Sequence, residues 1–247
     1  MPSFDQTPGR PESFAYKVNW FAVKASDPAS VLDALEFGEA TPANWASGLA
    51  AVYGDDAWVF ASPSVSGWVL VVGSWLPYPT NETHHDIGKR FDVLFSRLMK
   101  RFDDVQFFGS QRVVGFVAWA RALNGKPIRV FSYADEIMAN VGEQTPEEAK
   151  LGFANLGGLS LSDALDEMFR IADEQHSELE ALVTSGLPRR EARARVLQNR
   201  RDAIPDETDV VDLAGLWSID PSRLSDQDHP VGLGLAARLP KSLSQHV

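Results

Sequence analysis

Residues 104–142 constrain the fold most strongly, because they contain two β-rich runs joined by a tight turn. The runs cover residues 113–122 and 128–133, and Asn124-Gly125 lies between them. Both residues of this dipeptide tolerate a positive φ angle, which makes it a strong hairpin signal. In the first run both alternating faces are apolar, and a strand tolerates this only where it is covered on both sides. We therefore predict that this hairpin forms the middle of a β-sheet.

Apolar patterns before the hairpin predict further strands and helices. Asp27 followed by Pro28 is typical of a helix N-cap with proline at the first helical position, and a second short helix is expected after Thr41-Pro42. Residues 86–102 form the clearest helix, because their apolar side chains recur at spacings of three and four. These side chains are Ile87, Phe91, Leu94, Phe95, Leu98 and Phe102. The β-like runs are residues 16–25, 57–61 and 68–72.

Helical patterns dominate the chain after the hairpin and one further short strand, residues 138–141. Thr145 begins a capping box that Glu148 completes. A long helix is expected at residues 161–186 and a second at about residues 189–201, so that the two form an αα-hairpin. The first helix is acidic and the second carries six arginines. This distribution favours ion pairs between the helices over nucleic-acid binding by the arginines, although exposed pairs each contribute only about 0.2–1 kcal/mol.

The order of these elements predicts an α+β fold with a central, largely antiparallel β-sheet, packed helices and a C-terminal helical hairpin. Residues 1–13 read as a flexible lead-in, since three prolines and a glycine interrupt them. Residues 14–160 are expected to form the α+β sheet domain. Residues 161–247 are expected to form a helical extension packed on the same domain, with one short helix after residue 206 and then an irregular end.

Charge and composition exclude several classes of function. The net charge of −11 argues against general binding of DNA or RNA, whose phosphates most of this surface would repel, and suits a basic partner. No apolar run reaches eighteen residues and no secretory leader is visible, so we expect no membrane association. Cysteine is absent, which suits a cytoplasmic protein and removes thiolate chemistry.

Residues with catalytic or metal-binding chemistry are sparse. His84, His85 and Asp86 lie together and could contribute to a zinc site, but no spaced ligand set such as H-E-x-x-H accompanies them. The sequence also lacks the G-x-S-x-G nucleophile motif and the phosphate-binding loops of nucleotide-binding proteins. We therefore predict no catalytic residue, no metal ligand and no cofactor. An exposed loop that ends in an aspartate N-cap is the favoured interpretation of the histidine pair.

The seven tryptophans are the more informative residues. Three of them, Trp58, Trp68 and Trp119, lie within predicted strands and should be core residues. Trp45 and Trp75 lie beside small and polar residues, where a large aromatic side chain either covers the core or contacts a partner. Covering the core is the favoured alternative. If a partner exists, its contacts are expected at Trp45 and on the 74–86 loop, at Trp75, Tyr78, Glu82 and Asp86.

Three runs carry a resemblance to known proteins: PSVSGWVLVVG at residues 63–73, FFGSQRVV at 107–114, which leads into AWARA at 118–122, and AGLWSIDP at 214–221. They resemble poorly characterised bacterial proteins, some of them similar to the immunity proteins of polymorphic toxin systems. The likeness covers about residues 57–221, and its motifs are structural, so no functional residue is carried over. The resemblance implies a cytoplasmic protein that binds and blocks a protein toxin.

The hypothesis is therefore an immunity-type protein that neutralises a cognate, basic toxin by covering its active site. The alternative is an enzyme of unrecognised family, such as a metal-dependent hydrolase that uses His84, His85 and Asp86. An enzyme should have a concave pocket that collects polar residues from several strands. A binding protein should lose affinity when a central aromatic or acidic anchor is altered. A third alternative, a structural or host-directed interaction protein, is not separated from the first by sequence.

Overall fold

The computed structural model describes residues 2–54, 56–81 and 86–243. Within these ranges the strands are β1 Val18–Lys24, β2 Ala40–Ala43, β3 Trp58–Ala61, β4 Trp68–Gly73, β5 Asp104–Gln111, β6 Phe116–Leu123, β7 Lys126–Ala134, β8 Glu136–Val141 and β9 Gly234–Arg238. The helices are α1 Pro28–Leu35, α2 Trp45–Val52, α3 Ile87–Met99, α4 Pro146–Leu151, α5 Leu161–Thr184, α6 Arg189–Val196 and α7 Glu207–Trp217.

All nine strands in the described part of the chain belong to one sheet, in the order β2-β9-β3-β4-β1-β5-β6-β7-β8. Neighbouring strands pair antiparallel throughout. The predicted α+β fold with an antiparallel sheet is therefore confirmed. The β6–β7 hairpin does not lie at its middle, however. Strand β1 occupies that position, because β4 and β5 pair with its two edges.

Helices cover both faces of the sheet, so β1 is buried on both sides. Trp20 and Phe21 are neighbours in β1, point to opposite faces and are both fully buried. Residues of α2, α5 and α7 pack on the Trp20 face, and α1 and α3 pack on the Phe21 face. Since alternate strand residues point to opposite faces, an apolar run without alternation is what this burial requires.

The predicted hairpin turn is confirmed, but the start predicted for its first strand is wrong. Asn124 and Gly125 have φ angles of 50° and 77°, as a tight turn of this kind requires. Strand β6 begins only at Phe116, and the preceding residues Arg112–Val114 form a 3₁₀ turn. Val113 is 81% exposed there, because the chain reverses between β5 and β6 and no layer covers the tip. The β-branched pattern alone did not distinguish this connection from a strand.

Two predicted helix starts are confirmed by their caps. The Asp27 side chain accepts hydrogen bonds from the backbone N–H groups of Ala29 and Ser30, and the Thr145–Glu148 capping box is formed. Two boundaries differ from the predictions. Residues 40–43 form β2, so the second helix begins later, at Trp45. Helix α6 ends at Val196 rather than near residue 201, because the chain turns back and the Arg201 N–H donates to the carbonyl of Gly152.

The residues after 161 form the predicted helices and also contribute one strand to the sheet. Helices α5 and α6 adjoin as a hairpin, in which Arg189 pairs with Glu180 and Arg200 with Glu178. The end of the chain, predicted to be irregular, contains β9, which inserts between β2 and β3. Small residues dominate β9, and its partners lie far away in the chain, so the local pattern carried little signal. None of the helices in the described ranges has both the length and the apolar character needed to cross a membrane.

Candidate functional site

A pocket of about 270 Å³ lies at one end of the sheet, where β1, β6 and β8 begin and β4, β5 and β7 end. We call it the strand-end pocket. Antiparallel pairing brings these six termini together, so residues from distant parts of the chain line one cavity. Its polar lining includes Lys17, Asn19, Ser74, Ser110, Gln111 and Glu136, and its less polar lining includes Tyr78, Val114, Phe116 and Met138.

One wall of the strand-end pocket belongs to residues 74–81, which cross the sheet as a strap. The Asn19 side chain donates to the carbonyl of Leu76 at 2.7 Å, and the Ser132 hydroxyl donates to the carbonyl of Pro79 at 2.6 Å. The Asn81 N–H donates to the carbonyl of Met138 at 3.0 Å. The strap is thus bound to β1, β7 and β8 in turn, and these bonds hold its side chains in place beside the pocket.

Two polar atoms at the floor of the pocket have no hydrogen-bond partner among the described residues. They are the Ser110 hydroxyl oxygen and Oε1 of Gln111. Ser110 is 2% exposed, and the neighbouring Asn19 is also buried. Buried polar atoms are almost always hydrogen-bonded, since leaving one without a partner costs about 1–3 kcal/mol. Both atoms belong to pocket-lining residues but have almost no accessible surface, so a ligand in the pocket meets them only after the lining side chains rotate.

Exposed apolar side chains stand around the mouth of the pocket and form what we call the apolar rim: Tyr16, Tyr53, Val113 and Val114. Val114 lines the pocket, as does Lys17, the neighbour of Tyr16. The Tyr53 hydroxyl donates to the carbonyl of Tyr16 at 3.3 Å, which brings the two tyrosines together. These four are among the ten large hydrophobic side chains that are exposed in the described residues, and Val114 is the one of them that lines the pocket.

The structure brings one of the predicted contact residues, Tyr78, into the lining of this site. Tyr78 packs against Phe116 with ring centroids 4.5 Å apart and lines the pocket. Trp75, at the start of the strap, is partly buried, packs against the core on the Phe21 face and does not line the pocket. Asp86 lies at the N-terminus of α3 and is exposed, and its ion pair with Lys89 at 2.7 Å lowers the pKa of the Asp86 carboxyl.

Trp45 is not available for a partner contact. It is 1% exposed and packs edge-on against Phe60, with ring centroids 5.5 Å apart, because α2 lies with this face on the sheet. The contact hypothesis for Trp45 is therefore wrong, and the core alternative holds for it. Trp58, Trp68 and Trp119 are buried, as predicted. Glu82, His84 and His85 lie outside the described residues.

Sequence reasoning missed the residues that form the pocket floor and the apolar rim. Ser110 and Gln111 lie in a strand-like run, and Val113 and Val114 were assigned to the next strand. The sequence signal that could have found them is Gly115, because glycine readily adopts a positive φ. In the structure its φ is 61°, and the chain reverses there after the 3₁₀ turn. A glycine between two β-branched runs is typical of such a connection, but the valines beside it favoured a continuous strand.

The described residues contain no group of three or more side chains that could hold a metal ion. Among those that line the strand-end pocket, none is a histidine, although a serine nucleophile such as Ser110 needs an adjacent base for activation. Four of the six arginines at residues 189–201 form ion pairs among the described residues, and two of these pairs join α5, as the charge pattern predicted. Besides the pairs with α5, Arg193 pairs with Asp202, and Arg201 pairs with Asp209 and Asp212.

Asp209 supplies a prediction about the pH dependence of stability. Burial raises its pKa to about 6, despite its ion pair with Arg201 at 3.0 Å. The folded state therefore binds this proton more tightly than the unfolded state, whose aspartates have a pKa of about 3.9. The contribution of Asp209 to the free energy of unfolding is fully present below about pH 3.9 and is lost as the pH rises through about 6. Between pH 5 and pH 7 the free energy of unfolding should fall by about 1 kcal/mol more in the parent than in Asp209→Asn.

Urea denaturation at several pH values measures this difference. Asp202→Asn is the control, because this carboxylate pairs with Arg193 at the surface and is not among the groups that shift the pKa of Asp209. An Asp209→Asn variant with the same pH dependence as the parent would contradict the assignment.

Comparisons with known proteins return no relative: no protein-family model matches the chain, and no curated protein or solved structure is significantly similar to it.

Proposed function

We propose that this chain is an immunity-type binding protein that neutralises a bacterial protein toxin by direct contact and blocks its active site in the cytoplasm. The observation that carries the proposal is the apolar rim beside the strand-end pocket. Large hydrophobic side chains exposed together on a protein surface are typical of interaction sites. The resemblance of the three sequence runs to proteins similar to immunity proteins supports a toxin as the partner.

The composition of the rim suits a protein partner. Tyrosine is enriched at interfaces, because its ring provides apolar area and its hydroxyl remains able to form hydrogen bonds. Val113 and Val114 project on a short turn next to a concave pocket, so a partner would meet a protruding and a recessed feature side by side. Contacts of this kind concentrate binding energy in a few central residues.

Charge supports a basic partner. The net charge of −11 attracts a basic protein at long range, which increases the rate of association. Asp135 and Glu136 are exposed at the turn between β7 and β8, and Glu136 lines the pocket. These two carboxylates lie next to apolar side chains and can pair with lysine or arginine of the toxin, although Lys17 lines the same pocket, so the attraction of a basic partner comes mainly from the net charge of the chain.

A growth-rescue experiment tests the function. Proteins encoded beside this gene are expressed one at a time in a heterologous bacterium, and the proposal requires that one of them arrests growth and that this chain restores it. The purified pair should then bind in titration calorimetry. The immunity function would be contradicted if this chain neutralised none of the neighbouring products.

A charge placed in the apolar rim should weaken that complex. Val114→Asp should lower the affinity at least about 30-fold, equivalent to about 2 kcal/mol, because the carboxylate would lose its hydration in the interface. Val231→Asp is the matched control, since Val231 is 58% exposed against 57% for Val114 and lies beyond the opposite end of the sheet. Equal affinities of the two variants would place the contact surface elsewhere.

A further inference from the structure

The floor of the strand-end pocket specifies which group a ligand must present. Oε1 of Gln111 is a hydrogen-bond acceptor without a partner among the described residues, and the Ser110 hydroxyl can also accept. A ligand that satisfies Gln111 must therefore carry an N–H or O–H donor. A carboxylate or phosphate would place acceptor against acceptor at this position.

The walls of the pocket favour a flat, positively charged group. The rings of Tyr78 and Phe116 lie together with centroids 4.5 Å apart, and Met138 contributes a flexible apolar surface. Aromatic faces attract cations, and the planar guanidinium group stacks on them as well. The Glu136 carboxylate at the mouth adds a negative charge.

The size of the pocket is suited to one side chain. Sites for small molecules usually enclose about 300–1,000 Å³. The strand-end pocket, at about 270 Å³, lies near the lower limit of that range, so it suits a small group better than a nucleotide or another large cofactor. Its position inside the apolar rim means that a protein bound to the rim would cover the mouth and could insert a side chain.

We propose that the strand-end pocket receives the guanidinium group of one arginine from the basic partner, an inference that rests on the proposed function. Arginine offers several N–H donors in a fixed plane, so it can bond Gln111 and Ser110 once the Gln111 side chain rotates toward the cavity, while its face lies against Tyr78. Its aliphatic stem packs along Val114. Lysine would supply a charge and hydrogen-bond donors, but its ammonium group is not planar and cannot stack on the Tyr78 ring.

Lys17 also lines the pocket and opposes the bound cation. Its side chain is exposed at the mouth, so its charge is screened by solvent and it does not occupy the floor. Lys17→Met should therefore strengthen binding of the cation, and Glu136→Gln should weaken it.

Titration of the purified protein with n-propylguanidinium tests this without any partner. The backbone amide signals of Ser110, Gln111 and Tyr78 in nuclear magnetic resonance spectra should shift and saturate, with a dissociation constant on the order of 1 mM. In Gln111→Leu, which removes the acceptor, the dissociation constant should rise about 5-fold or more. Asp135→Asn is the control, because this exposed residue neighbours Glu136 but does not line the pocket.

Butyrate, which has a similar stem and the opposite charge, should leave the three signals unchanged. The inference is overturned if propylguanidinium causes no saturable shift, if butyrate binds equally well, or if Gln111→Leu binds like the parent. These outcomes concern the pocket alone, so they would leave the growth-rescue result standing. Conversely, saturable guanidinium binding together with failed growth rescue would overturn the proposed function and retain the cation site.

Discussion

Replacing Glu148 by glutamine is expected to lower the free energy of unfolding by about 3–5 kcal/mol, because it leaves the buried guanidinium of Arg129 without its counter-charge. The two side chains pair at 3.0 Å and are 2% and 3% exposed. The same carboxylate accepts hydrogen bonds from the Trp119 indole at 2.9 Å and from the Thr145 backbone N–H at 2.7 Å. Glutamine keeps the shape but replaces one accepting oxygen by an NH2 donor, so it removes the charge together with the hydrogen bonds to either Thr145 or the Trp119 and Arg129 side chains.

Chemical denaturation of Glu148→Gln measures this effect, and two further variants control it. Glu147→Gln should cost less than about 1 kcal/mol, since Glu147 is partly exposed and lies 3.7 Å from its partner Arg121. The double variant Arg129→Met with Glu148→Gln removes the unpaired charge and should recover part of the loss. A single variant that loses less than about 1 kcal/mol would show that Arg129 is not dependent on this carboxylate.

Trp20→Ala is expected to cost about 3–5 kcal/mol, because Trp20 is fully buried in the central strand and its removal leaves a large cavity. Its ring stacks on Phe108 with centroids 5.2 Å apart and meets the edge of Phe14 at 5.7 Å. Total stabilities of domains are about 5–15 kcal/mol, so this one change removes a large share.

Val113→Ala provides the comparison for Trp20→Ala, since the sequence pattern placed Val113 in the core hairpin and the structure exposes it at the tip of a turn. Its free energy of unfolding should stay within about 0.5 kcal/mol of the parent value, as is usual for exposed positions. Thermal and urea denaturation of both variants test the placement together. A loss above about 2 kcal/mol in Val113→Ala would restore the strand interpretation of residues 113–115.

Local sequence signals predicted the elements whose causes are local. The Asn124-Gly125 turn, the Asp27 cap and the Thr145–Glu148 capping box depend on residues a few positions apart, so their chemistry is readable in order along the chain. The apolar spacing of α3 likewise identified which face is buried. These signals were sufficient for the α+β class and for much of the element order.

Tertiary pairing decided what local signals do not contain. Strand β1 became the centre because β4 and β5, which are far apart in the chain, pair with its two edges. Strand β9 entered the sheet between β2 and β3, although its short run of small residues has little intrinsic preference. Burial of Trp45 and exposure of Val113 followed from which surfaces the layers cover.

In the candidate site too, local sequence identified some of the residues and tertiary structure alone brought the others together. Residue types alone identified the 74–86 loop as a candidate surface, and Tyr78 does reach the pocket. The strand-end pocket itself exists because antiparallel pairing brings six strand termini together, and the strap crosses the sheet beside them. No local sequence pattern predicts that Asn19, Ser110 and Glu136 lie close together in space. Their proximity is a property of register and sheet order, and these depend on long-range contacts formed only when the whole sheet assembles.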